Sequence, residues 1–383
     1  MIPMKLPSWL PAILLGLGSA GVLPGATIRI ERLPAGGLQP EVAVDASGTA
    51  HWVWLSGEPG AADVYYRRVP AGPEAASPPL RVNQSPGSGI AIGTVRGARV
   101  ALGRGGWVHV LWNGSATARP TAPAGSPLLY SRMQAGSPGF EPERNLLTRV
   151  GSLDGGAAVA ADPGGGVFVL FHGSPLGSAP GESHRRVFLS RSRDDGRTFE
   201  AERPVGGESG VCGCCGLAAQ TAPDGTLHAL FRSARDGTHR EAVLLTSRDQ
   251  GASFQSRLLQ DWETASCPMS TTRFLPSVDS APRVDWETRG SIQSLEIGAA
   301  SLVPTAIAPG PGAKHPSVAV NRHGEILHVW TEGTGWQRGG RLAWKLTDAG
   351  GAATLESGSR PGIVPWNFAA CYARPDGSFV ILY

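Results

Sequence analysis

Pro40–Trp54 reads PEVAVDASGTAHWVW: an apolar run, a turn of Asp, Ser and Gly, then a second apolar run closed by tryptophan. Five other stretches follow the same plan: Ala98–Trp112 (ARVALGRGGWVHVLW), Ala157–Phe171 (AAVAADPGGGVFVLF), Leu217–Phe231 (LAAQTAPDGTLHALF), Pro316–Trp330 (PSVAVNRHGEILHVW) and Ala369–Tyr383 (AACYARPDGSFVILY). A divergent copy ends at Arg283–Trp286 (RVDW). The closing aromatics are Trp54, Trp112, Phe171, Phe231, Trp286, Trp330 and Tyr383, at steps of 58, 59, 60, 55, 44 and 53 residues.

Recurrence of this kind marks a repeat architecture, and ~40–50 residues make one four-stranded propeller blade. The two strands of each copy are continuous apolar runs, as expected of strands covered on both faces by neighbouring blades. The expectation is an all-β fold, a β-propeller of four-stranded blades. Seven copies favour seven blades; six is the alternative if the divergent copy or the terminal hairpin is an insertion. Thr27–Leu33 (TIRIERL) precedes the first copy without a partner of its own. It is expected to supply an outer strand to the last blade and close the ring, leaving no open sheet edge.

Composition agrees. The 383 residues include 53 Gly and 32 Pro, and only 17% are charged, which favours turns over helices. The formal charge of +3 is dispersed, with no basic cluster interleaved with aromatics, so nucleic acid is not an expected partner. Lys5, the apolar stretch Trp9–Leu17 and the small residues Gly18, Ser19 and Ala20 read as a secretory signal. The apolar stretch is shorter than the ~20 residues of a spanning helix. The division expected is a signal peptide over 1–20 and a single propeller domain over 21–383. The mature chain would be a periplasmic or secreted monomer with no membrane span.

Ser192-Arg193-Asp194-Asp195-Gly196-Arg197-Thr198-Phe199 follows the pattern S-x-D-x-G-x-T-F, and Ser247–Phe254 (SRDQGASF) returns it 55 residues later. The carboxylates of Asp194 and Asp249 can accept N–H groups of their own turns. Gly196 and Gly251 take positive φ, and Phe199 and Phe254 tuck beneath. A weaker copy spans Ser131–Phe140. The two octads resemble the Asp-box (BNR) repeat of the sialidase superfamily. The resemblance implies boxes on the rim, joining the outer strands of a blade and supporting the fold without taking part in catalysis. An enzyme of this class would be an exo-sialidase-type glycoside hydrolase, using three arginines, a Tyr–Glu nucleophile pair and an Asp acid/base. Ile28-Arg29-Ile30-Glu31 has Glu where the family's Arg motif carries Pro. Of five tyrosines only Tyr372 lies on an expected inner strand. The family's catalytic set therefore does not transfer residue by residue. The function expected is binding or hydrolysis of extracellular or envelope glycans at the channel mouth, with carbohydrate or an envelope protein as partner.

Features that break the repeat are the candidates for function. Val211–Gly216 (VCGCCG) precedes the fourth copy, and Ser266–Met269 (SCPM) precedes the divergent fifth. Adjacent blades start their inner strands side by side, so Cys267 is expected near Cys212, Cys214 and Cys215. These cysteines could form disulfides, a thiolate site for copper or zinc with Met269 as a further soft donor, or a redox-active thiol. A metal-binding or thiol-redox propeller is thus the alternative function. Cys371 falls in mid-strand and reads as core. His51, His109, His228 and His328 recur before the closing aromatic and so read as structural. Arg186, Arg273, Asp285, Trp286, Glu287 and His315 are the ligand candidates, because Trp with charged groups suits sugars. Trp262 and Glu263 share the divergent fifth copy with Arg273 and Asp285–Glu287, while His184, Arg185, Trp366 and Asn367 accompany Arg186 and His315 in the neighbouring copies.

Overall fold

A computed structural model describes residues 1, 26–151, 153–207, 210–275, 282–298, 302–308 and 312–383. The expected signal segment falls outside them. The described residues contain no α-helix, only three short 3₁₀ turns, and no helix long and apolar enough to cross a membrane. Seven sheets form, one per repeat. Blade 1 pairs Leu38–Val44, Ala50–Glu58, Ala61–Val69 and Leu80–Arg81 in sequential antiparallel order, and blades 2 to 6 repeat this. Blade 3 adds Val150–Gly151 beside Val167–Pro175. The divergent copy makes a full blade, so the six-blade alternative falls.

The inner strands of blades 2 to 7 are Arg99–Leu102, Ala158–Ala161, Ala218–Thr221, Thr272–Phe274, Ala313–Val320 and Ala370–Ala373. Each packs against the next, and the seventh returns to the first. The N-terminal strand Ile28–Glu31 closes the last blade as expected, bonding in parallel register to Phe379–Leu382.

Each of the seven boundaries between blades holds its own apolar cluster. This is why the second strands read as unbroken apolar runs: both of their faces are covered. All seven closing aromatics are buried. The recurring histidines serve the same packing. Nδ1 of His51 bonds the Tyr66 hydroxyl at 2.8 Å and Nδ1 of His109 bonds that of Tyr130 at 2.7 Å. His228 meets the Thr246 hydroxyl at 3.2 Å, and His328 meets the Asp285 carboxylate of the preceding blade at 2.6 Å.

The Ser192–Phe199 and Ser247–Phe254 octads join the third and fourth strands of blades 3 and 4. Asp194 accepts from the Thr198 N–H at 2.8 Å and from its hydroxyl at 2.7 Å, while Ser192 Oγ accepts from the Gly196 N–H at 2.8 Å. Asp249 and Ser247 do the same for Ser253 and Gly251. Gly196 sits at φ 75°, where a side chain would be strained. Phe199 packs edge-on against Tyr130 of the preceding blade, ring centroids 4.9 Å apart. Phe140, which ends the weaker copy, packs against Tyr66 in the same way at 5.4 Å. The octads lie at the end of the ring where inner strands finish. The cysteine loop lies at the opposite end, called the upper mouth below.

Candidate functional site: the upper mouth

The channel itself is narrow. All seven inner strands line it, with alanines over much of its wall, around a cavity of about 110 Å³. Ligand sites for drug-sized molecules usually occupy roughly 300–1,000 Å³, so the bore is too small to enclose one. The bore is plugged just below the upper mouth. Glu41 of blade 1 accepts from Arg99 of blade 2 at 2.7 Å and from Arg273 of blade 5 across the ring. Arg99 also donates to the Ala157 carbonyl at 2.9 Å, and the Arg273 guanidinium lies 5.4 Å from the Phe368 ring centre. Two buried cations on one half-buried carboxylate tie three blades together.

Around this plug the mouth is lined by Gln39, His315, Arg338, Trp366, Asn367 and neighbouring backbone. Gln39 donates to the Trp366 and Ala91 carbonyls at 2.6 and 2.9 Å, and Asn367 Oδ1 accepts from the Gln39 N–H at 2.7 Å. Trp336 stands at the tip of a tight turn in which Gly335 and Arg338 exchange backbone hydrogen bonds at 3.1 Å. It is 57% exposed, and its ring meets Trp366 edge to face at 5.1 Å. Trp366 holds a positive φ of 65°, a conformation uncommon for a bulky residue. An exposed Trp336 against a half-buried Trp366, with the Arg338 guanidinium at the same mouth, can stack on the apolar face of a sugar and donate to its hydroxyls.

Two acidic side chains of the loops at this end are paired with arginines. Asp154 contacts Arg96 at 3.4 Å and Arg185 at 3.9 Å, and Glu182 contacts Arg240 at 2.7 Å.

The sequence candidates divide. His315 lines the mouth, buried against Phe368 at 5.7 Å; burial and the neighbouring Lys314 charge push its imidazole down to about 3. Arg273 reaches the channel but is spent on Glu41. Arg186 is half-buried at the top of blade 3, away from the aromatic pair, and reaches the Gly207 carbonyl at 3.5 Å. Asp285, Trp286 and Glu287 do not present themselves to a ligand. Trp286, one of the closing aromatics, is wholly buried between blades 4 and 5. Asp285 is wholly buried against His328. Glu287 is 1% exposed, accepts from the Gly290 N–H at 2.7 Å and faces Arg232 at 3.5 Å. Blade 5 diverges in sequence, yet its second strand is covered on both faces like the others. Trp262 is half-buried beneath Arg232, 5.1 Å away, and Glu263 is exposed.

Trp336 and Arg338 were missed. The signal available was a tryptophan in a Gly-rich loop, Gly333–Gly340 (GTGWQRGG), where no strand could bury it.

The cysteines converge as expected. Cys214 is bridged to Cys267, and Cys212 Sγ lies 3.4 Å from Cys214 Sγ. The donor atoms of Cys212, Cys214 and Cys267 all lie within 4.8 Å of one another. Cys215 stands outside that trio. Burial raises its thiol, but the hydrogen bond with Cys212, the Arg232 charge and the Ser270 backbone outweigh this and bring it to about 6. The same contact and burial push Cys212 well up. Cys371 is buried beside Ser317, as a core residue should be.

Solved structures of similar fold include proteins named as glycan hydrolases and as a lectin. The chain is similar to a Penicillium chrysogenum α-L-arabinanase complexed with arabinobiose (TM-score 0.53, 11% identity, 82% of this chain and 94% of that one). It is similar to the Aleuria aurantia lectin in complex with α-methyl-L-fucoside (TM-score 0.50, 10% identity, 86% and 95%). It is also similar to a Trypanosoma rangeli sialidase in complex with the inhibitor DANA (TM-score 0.50, 11% identity, 81% and 56%). No family model and no curated protein sequence matches the chain. What the chain shares with these structures is the β-propeller fold, and a fold does not by itself carry a catalytic set.

Proposed function

We propose that the protein is an exported lectin-like propeller that binds extracellular or envelope glycans at its upper mouth. The observation that carries this reading is the Trp336–Trp366 pair beside Arg338, over a mouth lined by Gln39, His315 and Asn367. The aromatic pair stacks on a sugar face, and Arg338 donates to a hydroxyl or carboxylate. Likeness of fold to the arabinanase and the fucose-bound lectin supports carbohydrate as the ligand class. Glu41, Asp154 and Glu182 are held by arginines, whereas hydrolysis needs one carboxyl group free to protonate and another free to attack or to activate water; Glu263 is an exposed carboxylate at this end.

The test is a glycan array probed with the mature chain and with Trp336→Ala, followed by a fluorogenic sialoside assay. Binding that the substitution abolishes supports the reading. An array blank for the unsubstituted protein sinks it, and sialoside turnover would replace binding by catalysis.

A further inference from the structure

The trio Cys212, Cys214 and Cys267 plays no part in the sugar site, and its donors come from the upper ends of two blades. Cys212 and Cys214 are buried, while Cys267 is exposed. Cys212 Sγ is 3.4 Å from Cys214 Sγ. Three thiolates around a soft metal at about 2.3 Å stand roughly 4 Å apart; the Cys212–Cys214 separation is already near this, and cleavage of the Cys214–Cys267 bond frees Cys267 to reach it. Met269 packs against the same cysteines, from a backbone held at φ 48°. The loop is fixed from behind: Glu182 accepts from the Gly213 N–H at 2.7 Å and is itself held by Arg240 at 2.7 Å. The cluster offers sulfur only, with no imidazole or carboxylate oxygen among its donors.

We propose that Cys212, Cys214 and Cys267 form a site for one Cu(I) ion, masked by the Cys214–Cys267 disulfide and opened by a dithiol reductant. Thiolate and thioether donors without nitrogen or oxygen suit both Cu(I) and Zn(II), and three converging thiolates match the low coordination number of Cu(I), where structural zinc takes four ligands. Opening begins when one thiolate of the reductant attacks the exposed Cys267 Sγ. The Cys214–Cys267 bond breaks, and Cys214 leaves as a thiolate that takes a proton. The second thiol of the reductant then displaces Cys267, which is protonated in turn. Two electrons and two protons pass to the protein, and the reductant becomes a disulfide. Cu(I) then replaces the three thiol protons, which go to solvent, with no change in the metal's oxidation state.

The experiment uses the mature chain isolated from an oxidising compartment, with and without dithiothreitol followed by anaerobic removal of the reductant. Each form is titrated with Cu(I) against bicinchoninate, a chromophoric Cu(I) chelator. The reduced protein is expected to withdraw one Cu(I) per chain, with only sulfur in the metal's first shell by X-ray absorption. The unreduced protein, Cys212→Ser and Cys267→Ser are expected to withdraw at least tenfold less. Cys371→Ser, remote from the trio, is expected to behave as the unsubstituted protein. Circular dichroism confirms that each variant keeps its sheet content; Cys267 is exposed, so its substitution leaves the core intact. The proposal is overturned if reduction does not raise Cu(I) uptake, if the trio variants retain it, or if Zn(II) displaces Cu(I) from the reduced protein.

Discussion

Trp336 and Trp366 meet edge to face with ring centroids 5.1 Å apart, although they belong to different blades. One sits at a hairpin tip of blade 6 and the other on the connection into blade 7. Stacking between a sugar and an exposed aromatic is lost on truncation without disturbing a core. Trp336→Ala is therefore expected to weaken glycan binding by at least tenfold, a loss of about 1.4 kcal/mol or more. Its urea midpoint should stay within error of the unsubstituted protein, since the ring is 57% exposed. Titration calorimetry with an array-selected glycan checks the first, and an unfolding curve the second.

Glu41 neutralises two buried guanidinium groups, Arg99 and Arg273, which are 2% and 6% exposed. Glu41→Gln leaves both cations in the bore without a counter-charge. It should cost about 3–5 kcal/mol in chemical unfolding. Replacing all three by leucine should recover most of that, because desolvation of the ions then disappears along with their attraction. A Glu41→Gln midpoint equal to that of the unsubstituted protein would deny the network any role in holding the blades.

Gly196 and Gly225 both hold positive φ, at 75° and 81°, but their surroundings differ. A Cβ on Gly196 would overlap the Tyr130 hydroxyl, whereas one on Gly225 would meet nothing. Gly225→Ala should therefore cost only the conformational strain, about 1–2 kcal/mol. Gly196→Ala should cost roughly 3 kcal/mol or more, because Tyr130 also holds His109 and Phe199. Paired unfolding curves decide it, and equal losses would mean that the hairpin does not lock against the preceding blade.

His172 Nε2 contacts the Cys215 carbonyl at 2.9 Å, and its Nδ1 has no hydrogen-bond partner among the described residues. Burial and the Arg185 charge push the imidazole down to about 4. An unfolded chain takes up this proton near pH 6.5, while the folded protein resists until about pH 4. The unfolded state thus binds more protons in that window, so stability falls as the pH drops through it, by about 1.4 kcal/mol per pH unit for this residue. His228, also pushed down to about 4 by burial, adds to the slope in the same direction. Unfolding free energies taken between pH 7 and pH 4.5 should show the decline, and His172→Asn should make it shallower by about 1.4 kcal/mol per pH unit, leaving the shares of His228, His109 and His315.

Much of the architecture could be read directly. Seven closing aromatics at blade spacing led to seven sheets, and the unpartnered Thr27–Leu33 segment led to the strand that closes the ring. Local pattern carries such information because burial on both faces demands an unbroken apolar run wherever it occurs. The cysteine loop was found for the converse reason: it breaks the pattern at matching points of adjacent blades.

The sugar site was legible only in part. Asp285, Trp286 and Glu287 have the residue types of a ligand site, but the strand that carries them runs between two blades. Residue type alone does not tell a charge facing solvent from one satisfied by a partner far along the chain, such as His328 on Asp285 or Arg99 and Arg273 on Glu41. The sequence by itself determined the repeat, the turns and a ring of six or seven blades, because periodic burial and turn chemistry act within one blade; that the divergent copy completes a seventh was decided by the structure. Only the tertiary structure decided which side chains meet at the mouth: Trp336 with Trp366, and Cys212 beside Cys214 and Cys267. Those meetings depend on how closure of the ring brings the ends of separate blades together.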